Sequence, residues 1–136
     1  MATGQHRAAV STGTVWEGLA GYSRAVRVGD RIVVSGTTAT AVDGAPVAPG
    51  DAGAQARFIL ERITRAIEEL GGRLEDVIRT RVYLRRIEDW EAVARVHGER
   101  FGSIRPANTL VEARLVGDDY LVEIEAEAVI GAGDAL

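Results

Sequence analysis

Cysteine is absent from the 136-residue chain. That excludes a disulfide framework, a thiolate nucleophile and a thiolate metal site, and it is compatible with a reducing compartment. Histidine is nearly absent, with only His6 and His97, so a histidine-built metal centre is not expected. No apolar run approaches the roughly 18 residues that a membrane helix needs, and no uninterrupted apolar stretch follows Met1–Arg7 as a secretory signal would require. The expectation is a cytoplasmic protein with no membrane partner. Positive charge is not in excess either. Sixteen basic residues stand against 20 acidic ones, a net charge of −4, so nothing draws the chain to a phosphate backbone and nucleic acid is not an expected partner. Internal repeats, a phosphate-binding glycine loop, a His-Glu-x-x-His pattern and a Gly-x-Ser-x-Gly elbow are all missing, and no cofactor is implied.

What is present reads as one ordinary globular domain, residues 1–136, with 46% hydrophobic and 26% charged residues. Residues 1–15 read as an irregular arm with a short strand around Ala8-Ala9-Val10. Trp16, in a segment otherwise poor in hydrophobics, either pins this arm to the body or caps a pocket. Tyr22–Val28 and Arg31–Gly36 are β-rich runs around a Gly29-Asp30 turn, which predicts a tight hairpin. Gly36, at the end of the second run, marks a bend or bulge, or lets a ligand approach the backbone closely.

The period then changes. Ile59, Ile63, Ala66, Ile67 and Leu70 fall on one stripe of a helix capped by Asp51 and ended by Gly71-Gly72. Val77–Leu84 alternates as a strand, with Ile78, Val82 and Leu84 expected inside and Arg79, Arg81 and Tyr83 on the other face. A second helix is expected from Asp89 to Phe101, with an apolar stripe of Trp90, Val93, Ala94, His97 and Phe101. A histidine in such a stripe is more often a hydrogen-bonded core residue than a catalyst.

Two further alternating runs, Arg105–Leu115 and Leu121–Val129, flank turn residues Val116–Tyr120 and read as a hairpin. In the last strand Glu123, Glu125 and Glu127 point one way while Val122, Ile124, Ala126 and Ala128 point the other. A carboxylate of that row facing a group such as Asn108 is the candidate chemistry; ion pairs with Arg79 and Arg81 are the bland explanation of the row. The fold class is therefore α+β, one mixed sheet of five to six strands with two helices on one face. The uncovered face, expected to carry Tyr22, Tyr83 and Leu110, suggests burial against other subunits.

Together, Tyr22-Ser23-x-Ala25-Val26, the Ser35-Gly36 strand end, Asp76–Leu84, Pro106-Ala107-Asn108-Thr109-x-Val111-Glu112 and Val122–Ala126 resemble the Rid family. These are the reactive-intermediate (enamine/imine) deaminases, long labelled endoribonuclease L-PSP, and the resemblance spans about residues 16–130. It implies a chorismate-mutase-like fold, a homotrimer, and small-molecule pockets in the clefts between subunits. Carried over by position, the family's catalytic glutamate is Glu123, its tyrosine is Tyr22, and its Ser-Gly pair is Ser35-Gly36, with Thr37 and Trp16 added to the ligand-binding wall. The arginine that grips the substrate carboxylate in deaminating members is here Asn108, and Leu110 follows two positions on. Ala94 stands where the second helix often carries a polar residue. Arg105 precedes Pro106 and lies on the opposite alternation. Exchanging a bidentate arginine contact for a neutral amide implies a loss of about one to two decades in binding amino-acid-derived imines, and hence a small, neutral or weakly polar ligand. The rival readings are a non-catalytic binding or regulatory module and, with least support from the charge, an endoribonuclease.

Overall fold

The computed structural model describes residues 6–136; Met1–Gln5, the start of the N-terminal arm, lie outside the described residues. Six strands form one sheet: β1 (Arg7–Val10), β2 (Ala25–Val28), β3 (Arg31–Thr38), β4 (Val77–Leu84), β5 (Ala107–Glu112) and β6 (Val122–Val129). Their spatial order is β1-β2-β3-β6-β4-β5. All neighbours are antiparallel except β4 and β5, which run parallel. The helices are α1 (Val15–Ala20), α2 (Ala52–Glu69) and α3 (Trp90–Phe101). The fold is thus the expected α+β class, with six strands in a mixed sheet. Among the described residues, no helix is long and apolar enough to cross a membrane.

α2 forms where its stripe demands. The Asp51 carboxylate accepts from the Ala54 N–H at 3.0 Å, and Gly71, at φ 92°, turns the chain out of the helix. Ile59, Leu60, Ile63 and Ile67 are fully buried against the sheet, each stabilising the fold by roughly 1.5–3 kcal/mol. β6 is the central strand of the core. Val122, Ile124, Ala126 and Ala128 all face α2, as the alternation required.

Four expectations need correction. The last two strands are not a hairpin, because β4 lies between them. β5 follows α3 and adds in parallel to the outer edge of β4, and Arg85 then holds the returning loop. Its guanidinium donates to the carbonyls of Leu115, Gly117 and Tyr120, and the Arg85 N–H bonds Leu121. β6 is thereby delivered into the open slot between β3 and β4. Second, a register shift between Val77 and Arg79 buries Val77 and leaves Ile78 45% exposed. Third, Trp90 is 52% exposed; the buried stripe of α3 is Val93, Val96 and Phe101. Fourth, Leu110 does not lie on the uncovered face. It is in register with Val82 and packs against the core.

The uncovered face carries the glutamate row as expected. Glu127 pairs with Arg31 at 2.8 Å, and Glu125 pairs with Arg81 at 3.6 Å and accepts from the Tyr83 hydroxyl. Between them stand Val33, 43% exposed, with Val28 and Val111 also exposed.

Candidate functional site

The site begins in the N-terminal arm. Glu17, in α1, is buried, and its carboxylate gathers the hydroxyls of Ser11, Thr12 and Thr14, each at 2.7 Å, together with the Thr12 N–H at 3.1 Å. Burial alone would raise its pKa; the hydrogen bonds from Thr12, Ser11 and Thr14 win and hold the carboxyl down at about 2. Gly21, in the left-handed region at φ 74°, ends α1 and turns the chain toward β2. Trp16 packs edge-on to Tyr120, with ring centroids 5.7 Å apart. The Tyr120 hydroxyl accepts from the Thr40 hydroxyl at 3.0 Å. The tryptophan therefore ties the arm to the loop before β6 and at the same time forms a wall of a cavity.

That cavity has a volume of about 220 Å³. Glu123, Gly36, Thr37, Thr38 and Thr40 line it from the sheet side, Trp16, Tyr22 and Arg24 from the arm, and Arg62 from α2. A bulge in β3 shapes its floor. Between Val34 and Thr37 the register with β6 shifts by one residue, so Thr37 pairs with Ile124 and Thr38 with Glu123. Thr37 consequently turns inward, and Gly36 lies directly under the Glu123 carboxylate. A Cβ at position 36 would sit 2.5 Å from Glu123 Oε2. The bulge and the close approach are both reasons for a glycine here.

Glu123 is the member of its row with no ion pair among the described residues. Burial raises its pKa; Arg24 draws it down and Glu125 pushes it further up, with a net upward shift. Arg24 is 3% exposed. It donates to the Gly36 carbonyl and, at 3.0 Å, to Thr37 Oγ1, and lies 3.5 Å from Glu17.

Of the residues singled out from sequence, Trp16, Tyr22, Gly36, Thr37 and Glu123 converge on this cavity. Ser35 does not line it; its hydroxyl donates to the Ser23 carbonyl at 2.7 Å and ties β3 to the chain entering β2, at the end of the hairpin away from its turn. Asn108 and Leu110 are elsewhere. Asn108 is in register with Thr80, which faces the helices, and donates to the Thr80 hydroxyl at 3.0 Å. That hydroxyl in turn bonds His97 Nε2 at 2.7 Å, and burial lowers the His97 pKa. His97 is therefore a hydrogen-bonded helix-face residue. Asn108 and Glu123 lie on opposite faces of the sheet, two strands apart and offset by three residues, roughly 10 Å in each in-plane direction. The expected meeting of the two does not occur within one chain.

Arg24, Arg62 and Glu17 escaped the sequence reading. Arg24 carried a faint signal, as a charge inside a β-rich run. Arg62 looked like any solvated helix arginine, since only the packing of α2 beside the arm brings it to the cavity. Among the described residues, no group of His, Cys, Asp and Glu side chains gathers that could hold a metal ion.

Residues 14–130 match the family described as endoribonuclease L-PSP. The chain is 41% identical over 127 residues to an uncharacterised protein of Streptomyces coelicolor, covering 93% of this chain and 94% of that one. It is 36% identical over 110 residues to the 3-aminoacrylate deaminase RutC of Acinetobacter baylyi, covering 81% and 87%. Among solved structures, a member of the YjgF/YER057c/UK114 family from Mycobacterium tuberculosis superposes with a TM-score of 0.83 at 43% identity, over 92% of this chain and 100% of that one.

Proposed function

Because the chain belongs to the endoribonuclease L-PSP family, known also as the Rid family, we propose that it hydrolyses a small enamine or imine in the cavity under Glu123. The observation that carries this reading is a carboxylate with no ion pair among the described residues, its pKa raised by burial, held over a glycine in a small cavity. Such a group is suited to take up and release a proton within one turnover. An enamine first becomes the imine by gaining a proton at its β-carbon and losing one from nitrogen; as water then adds to the C=N carbon, Glu123 takes a proton from the water and gives it to the nitrogen. The resulting carbinolamine breaks its C–N bond as Glu123 carries the hydroxyl proton to the departing nitrogen, leaving a carbonyl compound and ammonia. The 36% identity to a 3-aminoacrylate deaminase supports this class of reaction.

The reading extends to assembly. The uncovered face, with Val28, Val33 and Val111 exposed among ion pairs, suits burial against further copies, and the homotrimer implied by the family resemblance would use it. A neighbouring copy would then close the rim of the Glu123 cavity, and Asn108, exposed on the edge strand β5, is the residue that the family resemblance implies it would bring. The net charge of −4 gives no support to a ribonuclease activity. A non-catalytic binding module is the second reading, favoured by Asn108 at the position where deaminating relatives carry an arginine.

The test is ammonia release from small enamines and imines generated in situ, comparing the wild type with Glu123→Gln. Turnover should fall at least about a hundredfold in the variant with ligand binding retained. Unchanged turnover in the variant would remove Glu123 from the chemistry.

A further inference from the structure

Arg62 is the cation of the cavity with no partner for its charge. It is half-buried, lines the cavity, and takes part in none of the ion pairs among the described residues. Its position is nonetheless built. One Nη donates to the Thr40 carbonyl, and the guanidinium stacks over the Phe58 ring at 4.8 Å from the centroid. A guanidinium has five N–H groups in a rigid fork, and no protein acceptor among the described residues takes the others.

The neighbouring charges sharpen the point. Arg24, also in the cavity wall, is compensated by Glu17 at 3.5 Å, but Glu17 already accepts from three hydroxyls and two N–H groups. The Arg24 Nε is buried without a partner. The carboxylate that lines the cavity, Glu123, has its pKa raised by burial. Two guanidiniums therefore face a cavity lined by a single carboxylate, and leaving a half-buried guanidinium unpaired costs stability. A ligand can repay that cost.

We infer that Arg62, backed by Arg24, is the residue of this cavity that holds a ligand carboxylate, the role that deaminating members of the family give to the arginine replaced here by Asn108. The planar fork of Arg62 matches a carboxylate in two parallel hydrogen bonds. A monoanion suits the site better than a phosphate dianion, because Glu123 shares the cavity, and Trp16 and Val116 supply apolar wall for a short carbon chain. A neutral ligand, as Asn108 by itself suggested, would leave Arg62 uncompensated. The inference rests on the cavity being the ligand site of the proposed hydrolase, but it does not need the hydrolysis to occur.

The test titrates the full chain with propanoate, its neutral isostere propanamide, and inorganic phosphate, by calorimetry or NMR. Propanoate should bind at least tenfold more tightly than propanamide and than phosphate. Arg62→Met, which keeps the stem over Phe58, should abolish that preference, Arg62→Lys should restore part of it, and Arg65→Met, on the solvent side of the same helix, should leave it intact. Equal affinity for propanoate and propanamide in the wild type overturns the inference without recourse to any variant. So does a preference for phosphate, or a propanoate preference that survives in a folded Arg62→Met protein. The two readings separate cleanly. Arg62-dependent propanoate binding with no Glu123-dependent turnover sustains the subsite and sinks the hydrolase, whereas Glu123-dependent turnover inhibited equally by propanoate and propanamide does the reverse.

Discussion

At the scale of single residues, the proposed chemistry turns on the contact between Gly36 and Glu123. Gly36 is not in the left-handed region, and the nearest atoms to a Cβ there belong to the end of a flexible side chain. Gly36→Ala should therefore leave the backbone unstrained, and the smaller entropy of its unfolded chain offsets much of any packing cost. The carboxylate, however, must swing away by an ångström or more, a displacement that can cost about a hundredfold in rate. The expected outcome is a large fall in kcat with a melting temperature close to the wild type, checked by steady-state kinetics beside thermal denaturation. A variant with wild-type kcat would show that Glu123 does not act from this position. The glutamate row was legible in the sequence because alternation is a local property. That Glu123 alone of the row lacks an ion pair among the described residues was not, since Arg31 and Arg81 reach Glu127 and Glu125 from two different neighbouring strands.

At the scale of elements, the arm and α1 depend on Glu17. Its carboxyl, ordinarily near 4.5, is held at about 2. A depressed folded value means that the contribution is fully present above the ordinary value and is lost as pH falls through the folded one, and here it amounts to roughly 3 kcal/mol. Glu17→Gln should thus loosen the arm at pH 7, and its deficit relative to the wild type should shrink as pH is lowered from 4.5 through about 2. Trp16 emission in a Trp90→Phe background reports this directly, because Trp16 leaves Tyr120 when the arm lifts. A deficit that stays constant over this range would assign Glu17 a purely steric role. An irregular arm with a short strand around Ala8-Ala9-Val10 was expected up to residue 15, and the strand is there as Arg7–Val10, paired with β2. The short helix at Val15–Ala20 was not expected; it is held by polar contacts to one buried carboxylate, which leave no apolar period in the sequence.

At the scale of the whole molecule, the sheet has one face closed by α2 and α3 and one face open. The exposed valines of the open face lie among ion pairs that a second copy could satisfy, so association should be measurable. Sedimentation at micromolar concentration should give about three times the 14.5 kDa of one chain, with a concentration-dependent melting temperature. Val33→Asp, placed beside Glu127 in register, should shift the protein to monomer by adding like charge to an apolar contact. A wild type that sediments as a monomer would leave the open face as solvent-exposed surface and take Asn108 out of the site.

The sequence by itself determined the elements and their faces: α2 with its cap at Asp51, the Gly29-Asp30 hairpin, and a last strand with core on one side and carboxylates on the other. These follow from periods of 3.6 and 2 and from turn chemistry, which act over a few residues. The tertiary structure alone decided the neighbours. β6 lies between β3 and β4, with β5 on the outer edge of β4, and the registers that pair Asn108 with Thr80 and Glu123 with Tyr83 put the two side chains on opposite faces. The bulge at Gly36 and the packing of α2 beside the arm brought Arg24 and Arg62 to the same cavity as Glu123. Strand partners and helix docking are settled by contacts between segments tens of residues apart, and no local pattern records them.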